Sequence, residues 1–143
     1  MTIDTSTTRP TVLYACIHNS GRSVAAAALT RYYAGDRVEV RSAGSEPGSG
    51  VNPGVAAVLA ERGLAVDDHV PTLLTPDVVE GSDVVVTMGC GETCPVYPGS
   101  RHEDWPVDDP AGQDIQTVQR IVADVDERVR GLLASLGIGI DAG

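Results

Sequence analysis

The apolar run Thr11-Val-Leu-Tyr-Ala15 leads straight into Cys16-Ile-His-Asn-Ser-Gly-Arg-Ser23, and an alanine-rich stretch to Tyr33 follows. The first piece reads as a buried strand and Ser23–Ala34 as a helix, with Gly35 as its stop. Between them lies a short polar loop. Strand, tight loop and helix in that order gather backbone N–H groups around a point where an oxyanion can sit. Arg22 adds a planar fork of donors suited to a tetrahedral anion. A positive charge in the first helical turn opposes the helix dipole, so a bound anion gives it a favourable reason to be there. The same positive surroundings favour the thiolate of Cys16, which could attack the central atom of that anion. Cys16 is therefore the candidate nucleophile. Ile17, His18, Asn19, Ser20, Gly21, Arg22 and Ser23 form the candidate substrate-binding loop. Asn19 tolerates left-handed backbone and is a candidate for shaping the loop. Ser23 could donate its hydroxyl to the Cys16 sulfur.

The rest of the chain continues the alternation. Val38–Ser42 is β-branched and alternating, a second strand. Asn52-Pro53 and Thr75-Pro76 each join a capping residue to a proline, two helix starts that end near Gly63 and Gly81. Asp83–Met88 is a continuous apolar run, as expected of a central parallel strand. Residues 89–112 read as loop with a brief edge strand near His102–Trp105. From about Asp114 to Leu136, Val118, Val122, Val125, Val129, Leu132 and Leu136 recur at helical spacing. Strands alternating with helices imply an α/β fold, a parallel sheet covered on both faces. Ligands on such sheets bind beyond the carboxyl ends of the strands. Cys90, Cys94 and Asp109 are thereby expected on the rim where Cys16 sits.

The 143 residues suit one catalytic domain, expected over 10–136, with loose tails at 1–9 and 137–143. The net charge is −10 and no lysine occurs, which argues against a nucleic-acid partner, since that needs a basic face. No apolar run reaches membrane-spanning length and no signal-peptide pattern opens the chain, so neither a membrane nor export is expected and the cytoplasm is. Three cysteines, an odd number, speak against a disulfide framework and for reactive thiols or a metal site.

Three segments together resemble the low-molecular-weight tyrosine phosphatase superfamily, and within it the thiol-coupled arsenate reductases. They are Cys16-Ile-His-Asn-Ser-Gly-Arg-Ser23, Arg41-Ser-Ala-Gly44, and Val86-Thr-Met-Gly-Cys-Gly-Glu-Thr-Cys-Pro95 running on to Asp108-Asp-Pro-Ala-Gly112. The resemblance implies a small four-stranded parallel sheet with helices on both faces and the first strand internal. It implies that Asp109, just before Pro110, is the general acid, and that Asn19 and Ser42 brace the loop from below. The acid is chemically required, because an oxygen must leave protonated. The resemblance also implies arsenate or a similar oxyanion as substrate and a redox protein as partner.

Cys90 and Cys94 separate the possible activities. A reductase needs a second thiol to attack the Cys16 sulfur of a thiol–arsenate adduct, with Cys90 as first attacker and Cys94 as second. A tyrosine phosphatase, the alternative, needs neither. Relatives of that kind place aromatics after Asp-Pro to flank a phenyl ring, where this chain has Ala111-Gly112. The reductant implied is external, with no bound cofactor: thioredoxin, or mycothiol with mycoredoxin in the actinobacterial branch that the loop resembles. In that second case Cys90 and Cys94 are dispensable. Some relatives hold potassium with an acidic residue in the first helix, where this chain has Ala27, so no metal site is expected. A zinc site from Cys90, Cys94 and His102 in a non-enzymatic module is the remaining alternative.

Overall fold

In a computed structural model, residues 9–66, 68–89 and 101–139 are described. Strand β1 (Thr11–Cys16) is followed by α1 (Arg22–Ala34), β2 (Glu39–Gly44), α2 (Pro53–Glu61), a short α3 (Pro76–Val79), β3 (Val84–Thr87), β4 (Arg101–Asp104) and α4 (Ile115–Ser135). The strands form one sheet in the order β2-β1-β3-β4, with every pairing parallel. This is the expected four-stranded α/β arrangement with β1 internal.

Side-chain alternation along β1 builds both faces. Val12, Tyr14 and Cys16 point into the larger core, made with Val24, Ala26 and Leu29 of α1, Val55 and Leu59 of α2, and the apolar stripe of α4. Leu13 points to the other face, where it packs with Ala43, Val85 and Val79 of α3. Val118, Val122, Val125, Val129 and Leu132 are buried, and Leu136 is packed against the same core. With no phenylalanine in the chain, Tyr14 supplies core volume. Its hydroxyl is satisfied by Thr30 Oγ1 at 2.7 Å, and burial pushes its phenol above the ordinary tyrosine range.

The capping signals operate as their residue types require. Asn52 Oδ1 accepts from Val55 N at 3.1 Å, Thr75 Oγ1 from Val78 N at 3.4 Å, and Asp114 Oδ1 from Thr117 N at 2.9 Å. Gly35, Gly63 and Gly81 all take positive φ where helices end. The edge strand sits at Arg101–Asp104, and its charged residues suit a sheet edge. No helix among the described residues is long and apolar enough to cross a membrane.

Register fixes the site. Cys16 pairs with Gly44, Ala15 with Thr87, and Thr87 with Asp104, so all four strands end at one edge. The loops after β1, β2, β3 and β4 all leave from that edge.

Candidate active site

Residues 17–21 form a loop whose carbonyls are turned outward and tied down. Ser45 N donates to Cys16 O at 3.2 Å, Glu46 N to Ile17 O at 2.7 Å, Gly48 N to His18 O at 2.9 Å and Asn52 N to Ser20 O at 2.8 Å. The segment after β2 thus takes up the loop's acceptors. The N–H groups of His18, Ser20 and Gly21 find no acceptor among the described residues. The first residues of α1 also lack intrahelical acceptors by construction. The result is a set of uncommitted N–H donors, among the described residues, in the loop that borders the thiol.

Close backbone packing holds this shape. A Cβ on Gly44 would lie 2.5 Å from Ile17 O and 2.8 Å from Asn19 N, so only glycine fits beneath the loop. Asn19 has φ of 52°, the one positive value at a non-glycine among the described residues. Its side chain sets the direction of a hydrogen-bond relay. Thr72 N can only donate, so the group facing it at 2.9 Å is Asn19 Oδ1. Nδ2 then faces Ser23 Oγ at 2.8 Å, and that oxygen must accept. The Ser23 hydroxyl proton is left to point at Cys16 Sγ, 2.9 Å away. Asn19 N donates to the same sulfur at 3.3 Å. Two donors are thus aimed at one sulfur. His69 Nε2 donates to the Asn19 carbonyl at 3.0 Å and completes the brace. The brace runs through Ser23, Thr72 and His69; no hydrogen bond from the Ser42 side chain is found among the described residues, unlike the expectation for that serine.

Arg22 is buried, and its guanidinium crosses the mouth of the loop. Nη1 donates to Val107 O at 3.3 Å, and Nη2 lies 3.9 Å from Asp109 Oδ2. Gly89 makes room for it: a Cβ there would stand 2.1 Å from Arg22 Nη1, and φ is +84°. Residue 89 directly precedes Cys90. Cys90 and Cys94 themselves lie outside the described residues.

The structure distinguishes the two neighbouring aspartates. Asp109 lines the same pocket as Cys16 and Arg22, whereas Asp108 faces a separate cavity beside Thr117 and Arg120. Ala111 N donates to Asp109 Oδ1 at 3.0 Å, holding the carboxylate in a tight turn. Pro110 leans over the loop, and a Cβ on Gly21 would meet its Cγ at 2.8 Å.

The pocket over Cys16 has a volume of about 40 Å³ and is also lined by His18, Ser20, Asn52 and Ala111. No phenyl, phenol or indole ring lines it among the described residues. Tyr32 and Tyr33 pair with each other on α1 at a ring distance of 5.1 Å, and Trp105 is buried 5.7 Å from Tyr14. Tyr97 lies outside the described residues. Of the predicted loop residues, His18, Ser20, Gly21 and Arg22 border the pocket. The side chains of Asn19 and Ser23 are buried, and Ile17 packs against Ala15. A larger groove of about 640 Å³ between α1 and residues 63–66 and 68–70 lies apart from the thiol. No group of three or more His, Cys, Asp or Glu side chains placed to hold a metal ion occurs among the described residues.

Sequence reasoning took Asn52 only as a cap and missed Gly89, Thr72, His69 and the Val107 carbonyl. Gly89 had a signal, a glycine at the end of an apolar run. The other three reach the site only through tertiary packing.

Comparison with known proteins adds an independent line. The family model described as low molecular weight phosphotyrosine protein phosphatase matches residues 11–139. Arsenate reductase 1 of Staphylococcus epidermidis is 37% identical over 117 residues, covering 79% of this chain and 87% of that protein. The solved structure of a thioredoxin-dependent arsenate reductase from Corynebacterium glutamicum is 48% identical with a TM-score of 0.79. That match covers 90% of this chain but 62% of the other, less than two thirds of its length. An arsenate reductase from Archaeoglobus fulgidus superposes with a TM-score of 0.72 at 35% identity, over 86% of this chain and 98% of that one.

Proposed function

We propose that this chain, which belongs to the low molecular weight phosphotyrosine protein phosphatase family, works within it as an arsenate reductase. The observation that carries the reading is the pocket itself. It joins a thiol, a guanidinium and a carboxylate around about 40 Å³ of space, with no phenyl, phenol or indole ring among the described residues to flank a phenyl group. A small inorganic oxyanion suits it better than an aryl phosphate. The relatives named arsenate reductase support the same choice.

In this reading the Cys16 thiolate attacks arsenic, forming an S–As bond. Asp109 gives its proton to the departing oxygen, which leaves as water. Arg22 and the loop N–H groups hold the remaining oxygens. A second thiol then attacks the Cys16 sulfur. An S–S bond forms, the S–As bond breaks, and its electron pair stays on arsenic, which departs as arsenite. The second thiol is Cys90, followed by exchange with Cys94 and thioredoxin, or it is mycothiol with mycoredoxin completing the cycle. The Corynebacterium glutamicum protein, described as thioredoxin-dependent, favours the first route. Residues 10–136 are the catalytic domain in this proposal, and the cytoplasm, where thiol reductants are kept reduced, is its setting.

The test is arsenite production with thioredoxin and thioredoxin reductase, then with mycothiol and mycoredoxin. Activity with either is expected. Turnover with neither, beside rapid phosphotyrosine hydrolysis, would instead establish the family's phosphatase chemistry for this chain. Mass spectrometry after one turnover without added thiol separates the routes: a Cys16–Cys90 or Cys90–Cys94 disulfide marks the internal relay, and an arrested adduct marks the external thiol.

Two variants probe the acid. Asp109→Asn removes the proton donor and should slow arsenate turnover roughly 100-fold, the usual scale of general acid catalysis; an equivalent loss in Asp108→Asn but not in Asp109→Asn would reverse the assignment. Gly21→Ala forces Pro110 away from the loop and Asp109 with it. Because a displacement near 1 Å can be costly, steady-state turnover should fall by about tenfold or more, while thermal melting changes little.

A further inference from the structure

Asn52 sits at the start of α2 and does more than capping requires. Its Oδ1 accepts from Val55 N at 3.1 Å, which fixes the orientation of the carboxamide. The oxygen faces the first helical turn, so Nδ2 is the group left over. No acceptor for Nδ2 is found among the described residues, although Asn52 is half-buried and lines the pocket with Cys16, Arg22 and Asp109. Its backbone N–H is tied to Ser20 O at 2.8 Å, so the residue is held against the loop. A serine or an aspartate would cap the helix about as well as asparagine. Only asparagine also brings a neutral double donor, and such a donor can bind an anion without adding charge.

We propose that Asn52 is a further substrate-binding residue, donating from Nδ2 to an oxygen of the bound tetrahedral oxyanion. The proposal rests on the reading of this pocket as an oxyanion site. Asn52 complements Arg22: the guanidinium brings charge, while the carboxamide brings a directed donor from a different secondary-structure element. Contact with the oxyanion exists before and during attack, so its loss weakens binding more than it slows the chemical step.

The experiment uses inorganic phosphate as a non-reducible probe, measured by calorimetry, alongside arsenate kinetics. Asn52→Ser keeps a hydroxyl cap and removes the donor. Phosphate affinity should fall roughly tenfold, at the low end for a hydrogen bond to a charged group, and KM for arsenate should rise in parallel with kcat little changed. Asn52→Asp also keeps the cap but turns a carboxylate toward the anion, so phosphate binding should fall further than in Asn52→Ser. Melting temperatures near that of the unaltered chain would confirm that both caps survive. If the unaltered chain binds phosphate and both variants bind it equally tightly, the contact is overturned while the oxyanion site stands. If the unaltered chain binds no phosphate and reduces no arsenate, the underlying reading falls and the contact with it.

Discussion

Replacing Cys16 with serine should abolish arsenate reduction, by roughly 10⁴-fold or more on the scale of lost nucleophiles, and leave the fold intact. Cys16 is buried at the end of β1, where its Sγ receives Asn19 N and the Ser23 hydroxyl. A serine oxygen is smaller and accepts the same two donors, so neither a clash nor an orphaned group is created. The hydroxyl, however, stays protonated near neutrality and presents no thiolate. The sulfur is also needed a second time, as the atom on which the resolving thiol forms its bond, and oxygen cannot take that role. Phosphate should still bind to Cys16→Ser, because Arg22 and the loop N–H groups remain. Circular dichroism, calorimetry with phosphate and an arsenite assay on one preparation check all three statements. Residual turnover within tenfold of the unaltered chain would remove Cys16 from the mechanism.

Much of this arrangement could be read from local sequence. The strand and helix around Cys16–Ser23, the left-handed position of Asn19, and the capping pairs Asn52-Pro53 and Thr75-Pro76 all depend on residues within a few positions of one another. Their physics is short-ranged, so a linear reading captures it. The stripe on α4 was legible for the same reason, since 3.6-residue periodicity repeats through it. Gly89 shows where such reading stops. A glycine after a strand announces a tight turn, but nothing nearby says that the Arg22 guanidinium passes where a Cβ would be. The Gly21–Pro110 contact and the anchoring of the loop carbonyls by Ser45, Glu46, Gly48 and Asn52 are likewise products of packing. Ser42 illustrates the opposite case. A resemblance supplied a bracing residue, whereas the described hydrogen bonds give that work to Ser23, Thr72 and His69. The resemblance puts the acid just before Pro110, at Asp109, and the carboxylates of Asp108 and Asp109 do face different cavities.

The choice between reductase and phosphatase rests on what the cradle can exclude as much as on what it binds. Cys16, Arg22 and Asp109 would serve either chemistry, since both begin with in-line attack by a thiolate and departure of a protonated oxygen. The walls differ in their demands. An aryl phosphate needs apolar rings beside the leaving group, and the described wall after Asp109 offers Pro110 and Ala111. Aryl phosphate hydrolysis should therefore persist at a low level, because the shared machinery remains, with binding of the ring as its weak term.

Arg22→Lys should be severely damaging, second to loss of the nucleophile, although the charge is kept. The guanidinium reaches two places at once, Val107 O at 3.3 Å and the neighbourhood of Asp109 Oδ2 at 3.9 Å, while its Nη1 occupies the space beside Gly89 where a Cβ would stand. Its ion pair with Asp109 is loose, so donors remain for an incoming anion. A lysine ammonium is a point charge that cannot span these positions, and it would leave unfilled the space that Gly89 keeps open. It would also be a strongly hydrated group in a site where Arg22 is almost fully buried. The expected loss is roughly 100- to 1,000-fold in kcat/KM for arsenate, the scale for removing an oxyanion donor. Phosphate binding should weaken in step, because the clamp acts on the ground state as well as during attack. Raising ionic strength should not mimic the variant, since screening reduces charge attraction and leaves fork geometry untouched. Near-normal kinetics in Arg22→Lys would mean that charge alone holds the anion, and the account of Gly89 as the residue that admits a planar guanidinium would lose its functional meaning.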